Sequence, residues 1–173
     1  AVREIRQGES GVSVVYADRN GRTRKVDAEY CACTIPLPVL ATVEADFSPD
    51  FKRAIASSNY AAAGKIGLQF KRRFWEEDDQ IYGGATRTDQ DITQIVYPST
   101  GFHGRKGVLV GYYIQDQGAR MVGERTPPER LALALAQGER IHPQYQKEFE
   151  SAFSVAWHRV RWSAGSWAAF GGS

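Results

Sequence analysis

Gly64-Lys65-Ile66-Gly67-Leu68-Gln69-Phe70-Lys71-Arg72-Arg73-Phe74-Trp75-Glu76 is the stretch on which the reading of this chain turns. Side chains alternate across a β-strand, so Ile66, Leu68 and Phe70 form one apolar face while Lys65, Gly67, Gln69 and Lys71 share the other. Lys65 therefore points away from a buried face. A lysine at the start of a strand is by habit solvated, and only the surrounding sequence can give it a further role.

Upstream of this strand, Val12-Ser13-Val14-Val15-Tyr16 and Arg24-Lys25-Val26 flank Asp18-Arg19-Asn20-Gly21 and read as a β-hairpin, with Asn20-Gly21 supplying the positive φ angles of a tight turn. Residues 30–35 read as a further strand, stopped by Pro36 and Pro38, since proline cannot donate to a ladder. Ser48-Pro49 is a cap and first helical position for a short helix ending at Ala56. Downstream, the acidic run 76–79 reads as a solvated loop, followed by strands over 92–97 and 108–114. Thr126-Pro127-Pro128-Glu129 is a capping box with proline at the first helical position, which predicts a helix over 127–136. His142-Pro143 opens a second short helix toward Phe149. The pattern is α+β, with no internal repeat.

The 173 residues suffice for one ordinary core, and the formal charge of +2 argues against a dedicated nucleic-acid arm. There is no apolar run long enough to span a membrane. Cys31 and Cys33 fall on one face of the expected strand, a geometry unsuited to a local disulfide, and read as small core residues. His103, His142 and His158 are scattered without ligand spacing, so no metal site is expected. Residues 71–75 mix cations with aromatics, which leaves open a non-enzymatic β-rich module that holds a nucleic-acid strand. Both ends read as those of a piece of a larger structure. Val2 and Ile5 begin an apolar pattern at once, and Trp157, Trp162, Trp167 and Phe170 crowd the final stretch with little chain left to cover them.

Taken in order, several stretches resemble the flavin-containing amine oxidases, most closely the L-amino acid oxidases. Val2-Arg3-Glu4-Ile5, the hairpin and Cys33-Thr34-Ile35-Pro36-Leu37-Pro38-Val39-Leu40 resemble the part that passes the FAD adenine on its way to the flavin. Gly64-Lys65-Ile66 through Asp78, then Ile81-Tyr82-Gly83-Gly84 and Tyr97-Pro98, is similar to the core of the substrate domain. Gly107-Val108-Leu109-Val110-Gly111-Tyr112 resembles the strand that ends in a substrate-binding tyrosine, and Trp157 with Trp162-Ser163-Ala164-Gly165-Ser166-Trp167 the aromatic segment that returns to the flavin.

The resemblance implies a fragment carrying part of an FAD-binding domain and most of a mixed-sheet substrate-binding domain. Residues 1–58 would belong to the first, 59–156 to the second, and 157–173 would return to the flavin site. It implies that an L-amino acid, with L-glutamate the best guess, gives hydride to flavin N5 and yields a 2-oxo acid, ammonia and, through dioxygen, hydrogen peroxide. Lys65 would be catalytic, holding a water near N5 and steadying the reduced flavin electrostatically. Tyr112 would donate to the substrate carboxylate, with Tyr113 on the opposite face as its rival, and Trp167 would wall the substrate side chain. Val2, through its backbone, and Pro36 would meet the cofactor; Trp157 and Trp162 would lie against the flavin or fill core. The family's Gly-x-Gly-x-x-Gly, its carboxylate-clamping arginine and its last glycine-glutamate segment are not in these residues. An N-terminal chain carrying the dinucleotide motif and a C-terminal chain completing the FAD site, cut from the same precursor as in the processed L-glutamate oxidases, would supply them. Such assemblies would pair as dimers and be secreted. An amine or polyamine oxidase, which does not recognise a carboxylate, is the alternative within the family.

Overall fold

A computed structural model of the chain describes residues 1–169; Phe170, expected to join the tryptophans, lies outside the described residues with Gly171, Gly172 and Ser173. The chain divides into two units, one built from Ala1–Tyr60 and from Arg161 onward, the other from Ala61–Val160. In chain order, the first unit opens with β1 (Val2–Gly8), β2 (Gly11–Ala17) and β3 (Thr23–Ala28), continues with α1 (Leu37–Leu40), β4 (Glu44–Ala45) and α2 (Pro49–Ala56), and reaches β5 (Asn59–Tyr60). The second begins with β6 (Ala63–Phe70), α3 (Phe74–Glu77), β7 (Gly84–Arg87), β8 (Gln94–Tyr97) and β9 (Gly107–Gln115). It ends with α4 (Asp116–Glu124), α5 (Pro127–Glu139), α6 (Tyr145–Glu148), β10 (Phe149–Ala156) and a 3₁₀ turn at Trp157–Arg159. The chain then returns to the first unit with β11 (Ala168–Ala169).

The fold is α+β. In the first unit the sheet order is β3-β2-β1-β4, antiparallel except where β4 lies parallel to β1, and β11 pairs with β5 separately. The hairpin forms as its sequence dictates, with Val14 opposite Val26. Its turn is built differently, because the Asp18 carboxylate accepts the amides of Asn20 and Arg22 at 2.9 Å each, so Gly21 alone takes a left-handed φ, of 76°. Ser48 caps α2 by accepting the Phe51 amide. Ile5, Leu40, Ala45 and Ile55 form the core of this unit.

Residues 30–35 are the main correction. They form no strand, and Cys31 and Cys33 are exposed rather than core residues. Their alternation and composition suit a ladder, but no described strand runs beside them, and a β-strand exists only as one side of a pair.

The second unit is organised around β10-β6-β9-β8-β7, antiparallel throughout. Ile66, Leu68 and Phe70 of β6 are buried while Lys65 is exposed, as the alternation requires. That inner face joins Leu109, Tyr112 and Ile114 of β9 to Ala119 and Val122 of α4, Ala134 of α5 and Tyr145 of α6 in one core. The capping box of Thr126 and Glu129 starts α5 at the expected position. Strands β7 and β10 and helix α4 have no counterpart in the sequence reading. Two guanidinium groups cap the end of α4: Arg130 donates to the carbonyls of Val122 and Gly123, and Arg159 to that of Gly123. No helix among the described residues is long and apolar enough to cross a membrane.

Candidate functional site

Lys65 sits near the start of β6, opposite Val155 of β10 and Tyr113 of β9. Its face of the sheet is open within the second unit, where Phe153 remains 78% exposed and Val108 51%. Gly67 lies between them, opposite Phe153, and bears no side chain to fill the space. The Lys65 Nζ stands 4.2 Å from the centroid of the Tyr113 ring. A cation over an aromatic face at that distance gains roughly 0.5–1 kcal/mol at an exposed site. Lys65 forms no ion pair among the described residues.

Tyr112, the neighbouring residue, points the other way and is fully buried in the core of the second unit. Its hydroxyl lies near Ser154, yet no group among the described residues meets it at hydrogen-bond geometry; burial pushes its pKa up. Lys65 and Tyr112 thus stand on adjacent strands but on opposite faces. Trp157 follows β10 directly, within the same unit, and is 37% exposed.

The remaining candidates belong to the first unit. Val2 pairs with Tyr16, whereas β4 pairs only with Glu4 and Ile5, so among the described residues the outer backbone edge of β1 at Val2 carries no ladder partner. Pro36 is the residue before α1, and its carbonyl accepts the Val39 and Leu40 amides. The next amide, that of Leu37, donates to the Tyr60 hydroxyl at 3.3 Å. Tyr60 in turn pairs with Ala168, the residue after Trp167, so these contacts bring Pro36 and Trp167 into one neighbourhood. Trp162 and Trp167 are exposed, at 54% and 40%.

The run 71–75 does not make a nucleic-acid surface. Phe74 and Trp75 are wholly buried, Arg73 is buried in an ion pair with Glu76, and Arg72 is engaged by Glu77, Asp78 and Glu148. Stacking needs exposed rings, and none is available here. Glu76 likewise departs from the solvated reading of the acidic run: besides Arg73 it accepts the His103 amide, and these bonds hold its carboxyl below the ordinary range. Arg72 and Gln144 hold the Asp78 carboxyl down, at about 2.

A second polar cluster lies among the helices. His142 is buried, with Nδ1 2.9 Å from Asp79 and Nε2 2.6 Å from the Tyr97 hydroxyl. The arrangement assigns the proton of the neutral ring to Nδ1, which donates to the carboxylate, while Nε2 accepts from Tyr97. Burial lowers the pKa of His142 against the opposing pull of Asp79. Sequence reading found His142 but no partner for it, because Asp79 and Tyr97 meet it only through the fold. Thr93 was also missed, although it is a β-branched residue at φ 58° whose hydroxyl donates to the Tyr113 carbonyl at 3.0 Å. No local pattern announces such a residue.

The family profile described as flavin containing amine oxidoreductase matches residues 1–171. YobN of Bacillus subtilis (strain 168), provisionally named an L-amino-acid oxidase, is 32% identical over 96% of this chain and 36% of its own length. RebO of Lentzea aerocolonigenes, named a flavin-dependent L-tryptophan oxidase, is 30% identical over 91% of this chain and 34% of its own. Among solved structures, the cyclohexylamine oxidase of Brevibacterium oxydans IH-35A superposes with a TM-score of 0.78 at 18% identity, over 96% of this chain and 36% of that one. Wild-type putrescine oxidase bound to putrescine gives 0.77 at 20% identity, over 96% and 36%. At these identities the solved structures speak for the fold alone, and the chain spans little more than a third of the relatives it matches.

Proposed function

This chain belongs to the flavin-containing amine oxidoreductase family, and on that premise we propose that it forms part of an FAD-dependent L-amino acid oxidase that converts an L-amino acid to a 2-oxo acid, ammonia and hydrogen peroxide. The observation that carries this reading is Lys65: an exposed ammonium without an ion pair among the described residues, on the open face of a sheet whose other face is sealed by core. L-Glutamate is the proposed substrate. The partners are an N-terminal chain with the dinucleotide motif and a C-terminal chain from the same precursor, arranged as a secreted dimer of such assemblies.

The residues present suit FAD. The unpaired backbone edge at Val2 offers a donor and an acceptor to a heterocycle such as adenine. In the first unit Trp162 keeps an exposed aromatic face that would suit a planar ring system, Pro36 stands before α1, and Trp167 would wall a side chain; in the second unit Trp157 is partly exposed as well. When bound, FAD would supply the redox chemistry, taking hydride from the α-carbon and passing the electrons to dioxygen. Lys65 would orient a water and place fixed positive charge where negative charge develops. Tyr112, which the resemblance implies as donor to the substrate carboxylate, is fully buried on the face of the sheet opposite Lys65, so in this reading the carboxylate contact would come from other residues of the assembled protein.

The full-length protein tests the reading directly: it should carry a flavin absorption band and form peroxide on addition of L-amino acids. Lys65→Met should slow flavin reduction or reoxidation by about 100- to 1,000-fold, the range for loss of one preorganised electrostatic contact, with the fold retained. Unchanged rates in both half-reactions would refute the role. An amine oxidase that does not recognise a carboxylate is the second reading, favoured by the burial of the Tyr112 hydroxyl on the face of the sheet opposite Lys65. Faster turnover of the decarboxylated amine than of L-glutamate would select it.

A further inference from the structure

We infer that Tyr113 is the positioning residue of this site, its ring fixing the Lys65 ammonium on the open face of the sheet; the inference rests on the reading of Lys65 given above. Lysine carries its charge on four flexible carbons, and an exposed one samples many rotamers. The ring centroid 4.2 Å from Nζ, on the strand directly paired with that of Lys65, selects among them.

The choice of an aromatic partner is chemically specific. A carboxylate would hold the ammonium as firmly but would cancel the charge that electrostatic stabilisation needs. The face of a ring holds the cation and leaves its net charge in place. The Tyr113 backbone is itself anchored, since its carbonyl accepts from the Thr93 hydroxyl at 3.0 Å and from the Gln94 side-chain Nε2 at 3.4 Å. Thr93 adopts φ 58° in making this contact, a conformation that β-branched residues rarely enter. The rotamer of Lys65 is thus set by a ring whose own strand is clamped from the other side.

The test uses the full-length protein with Tyr113→Phe, Tyr113→Leu and Lys65→Met. Tyr113→Leu should slow the Lys65-dependent half-reaction about two- to fivefold with little change in KM, the factor that an exposed cation–π contact supports. Tyr113→Phe keeps the ring and should restore wild-type rates, and Tyr113→Leu should add nothing in the Lys65→Met background. Equal impairment in the Phe and Leu variants would overturn the proposal in favour of the hydroxyl. A second readout requires no turnover: after ¹³C reductive methylation of the apoprotein, the Lys65 methyl resonance, identified by its loss in Lys65→Met, should be shifted upfield by the ring. That shift should persist in Tyr113→Phe and vanish in Tyr113→Leu. Its absence from the wild type, or its survival in Tyr113→Leu, overturns the proposal even where the leucine variant is poorly folded or Lys65→Met proves kinetically silent. A silent Lys65→Met with the shift behaving as expected would instead sink the reading of Lys65 and spare the placement.

Discussion

Arg73 and Glu76 are almost wholly buried, and each tolerates burial only because the other is present. Arg73 also donates to the Thr100 carbonyl, and Glu76 accepts the His103 amide, so the pair fastens the loop before β9. Removing one partner strands the other charge in the core, and Arg73→Ala should cost about 3 kcal/mol. Urea unfolding of the full-length protein measures it; a loss under about 1 kcal/mol would show the pair to be effectively solvated. The i, i+3 spacing of Arg73 and Glu76 was visible in the sequence. An acidic run reads as solvated until its cation is known to turn inward, and that depends on the burial of Phe74 and Trp75 beside it. Lys65 was legible for the opposite reason, because alternation along one strand fixes its face without reference to the rest of the chain. His142 makes a pH-dependent contribution. Burial lowers its pKa from the ordinary 6.5, so it stays neutral in the folded chain while the unfolded chain takes up a proton. Its contribution is complete above about 6.5 and is lost as pH falls from there through the lower folded value. His158, lowered by burial and by Arg120, Arg159 and Arg130, acts with the same sign. The urea midpoint should therefore fall between pH 7 and pH 5, and His142→Gln should flatten that fall; an unaltered slope would refute the assignment.

Among elements, those with local start and stop chemistry were legible, as were β6, β8 and β9, whose apolar patterns lie within the strands themselves. Ser48 before α2, Thr126 and Glu129 before α5, and the Asp18–Gly21 turn of the β2-β3 hairpin each carry their instructions within a few residues. Strand β10 does not. Its Ser-Ala-Phe-Ser-Val core leaves Phe153 outermost, and it is a strand because β6 offers a ladder edge, not because its own pattern demands one. Helix α4 includes Gly118 and Gly123, poor helix formers, and is held by the sheet beneath it and the arginines at its end. The converse case is 30–35, a segment with strand composition and no partner. Gly138 of α5 weighs propensity against packing. Alanine is the better helix former by about 1 kcal/mol, but a Cβ there would overlap the Tyr145 ring, and overpacking costs roughly 1–3 kcal/mol. Gly138→Ala should thus destabilise, read as a lower thermal midpoint. A rise would mean that Tyr145 moves aside freely.

At the scale of the molecule, each unit has its own core, and every residue of the larger one comes from within 61–160. That segment expressed alone should give a dispersed amide spectrum and a cooperative urea transition. A collapsed spectrum would refute its independence. The family was legible in the order of its motifs, whereas the substrate was not, because this chain spans little more than a third of the relatives it matches. One pairing bears on how such a protein can change. Gly64 lies opposite Ala156, so the segment between them leaves and returns on neighbouring strands. To the flanking chain it is a loop whose ends are already tied, and closure entropy grows only with the logarithm of loop length. Whole versions of this segment, longer or shorter and with a different face beside Lys65, can therefore be exchanged like cassettes at 60/61 and 160/161 with little penalty to the chain that carries them.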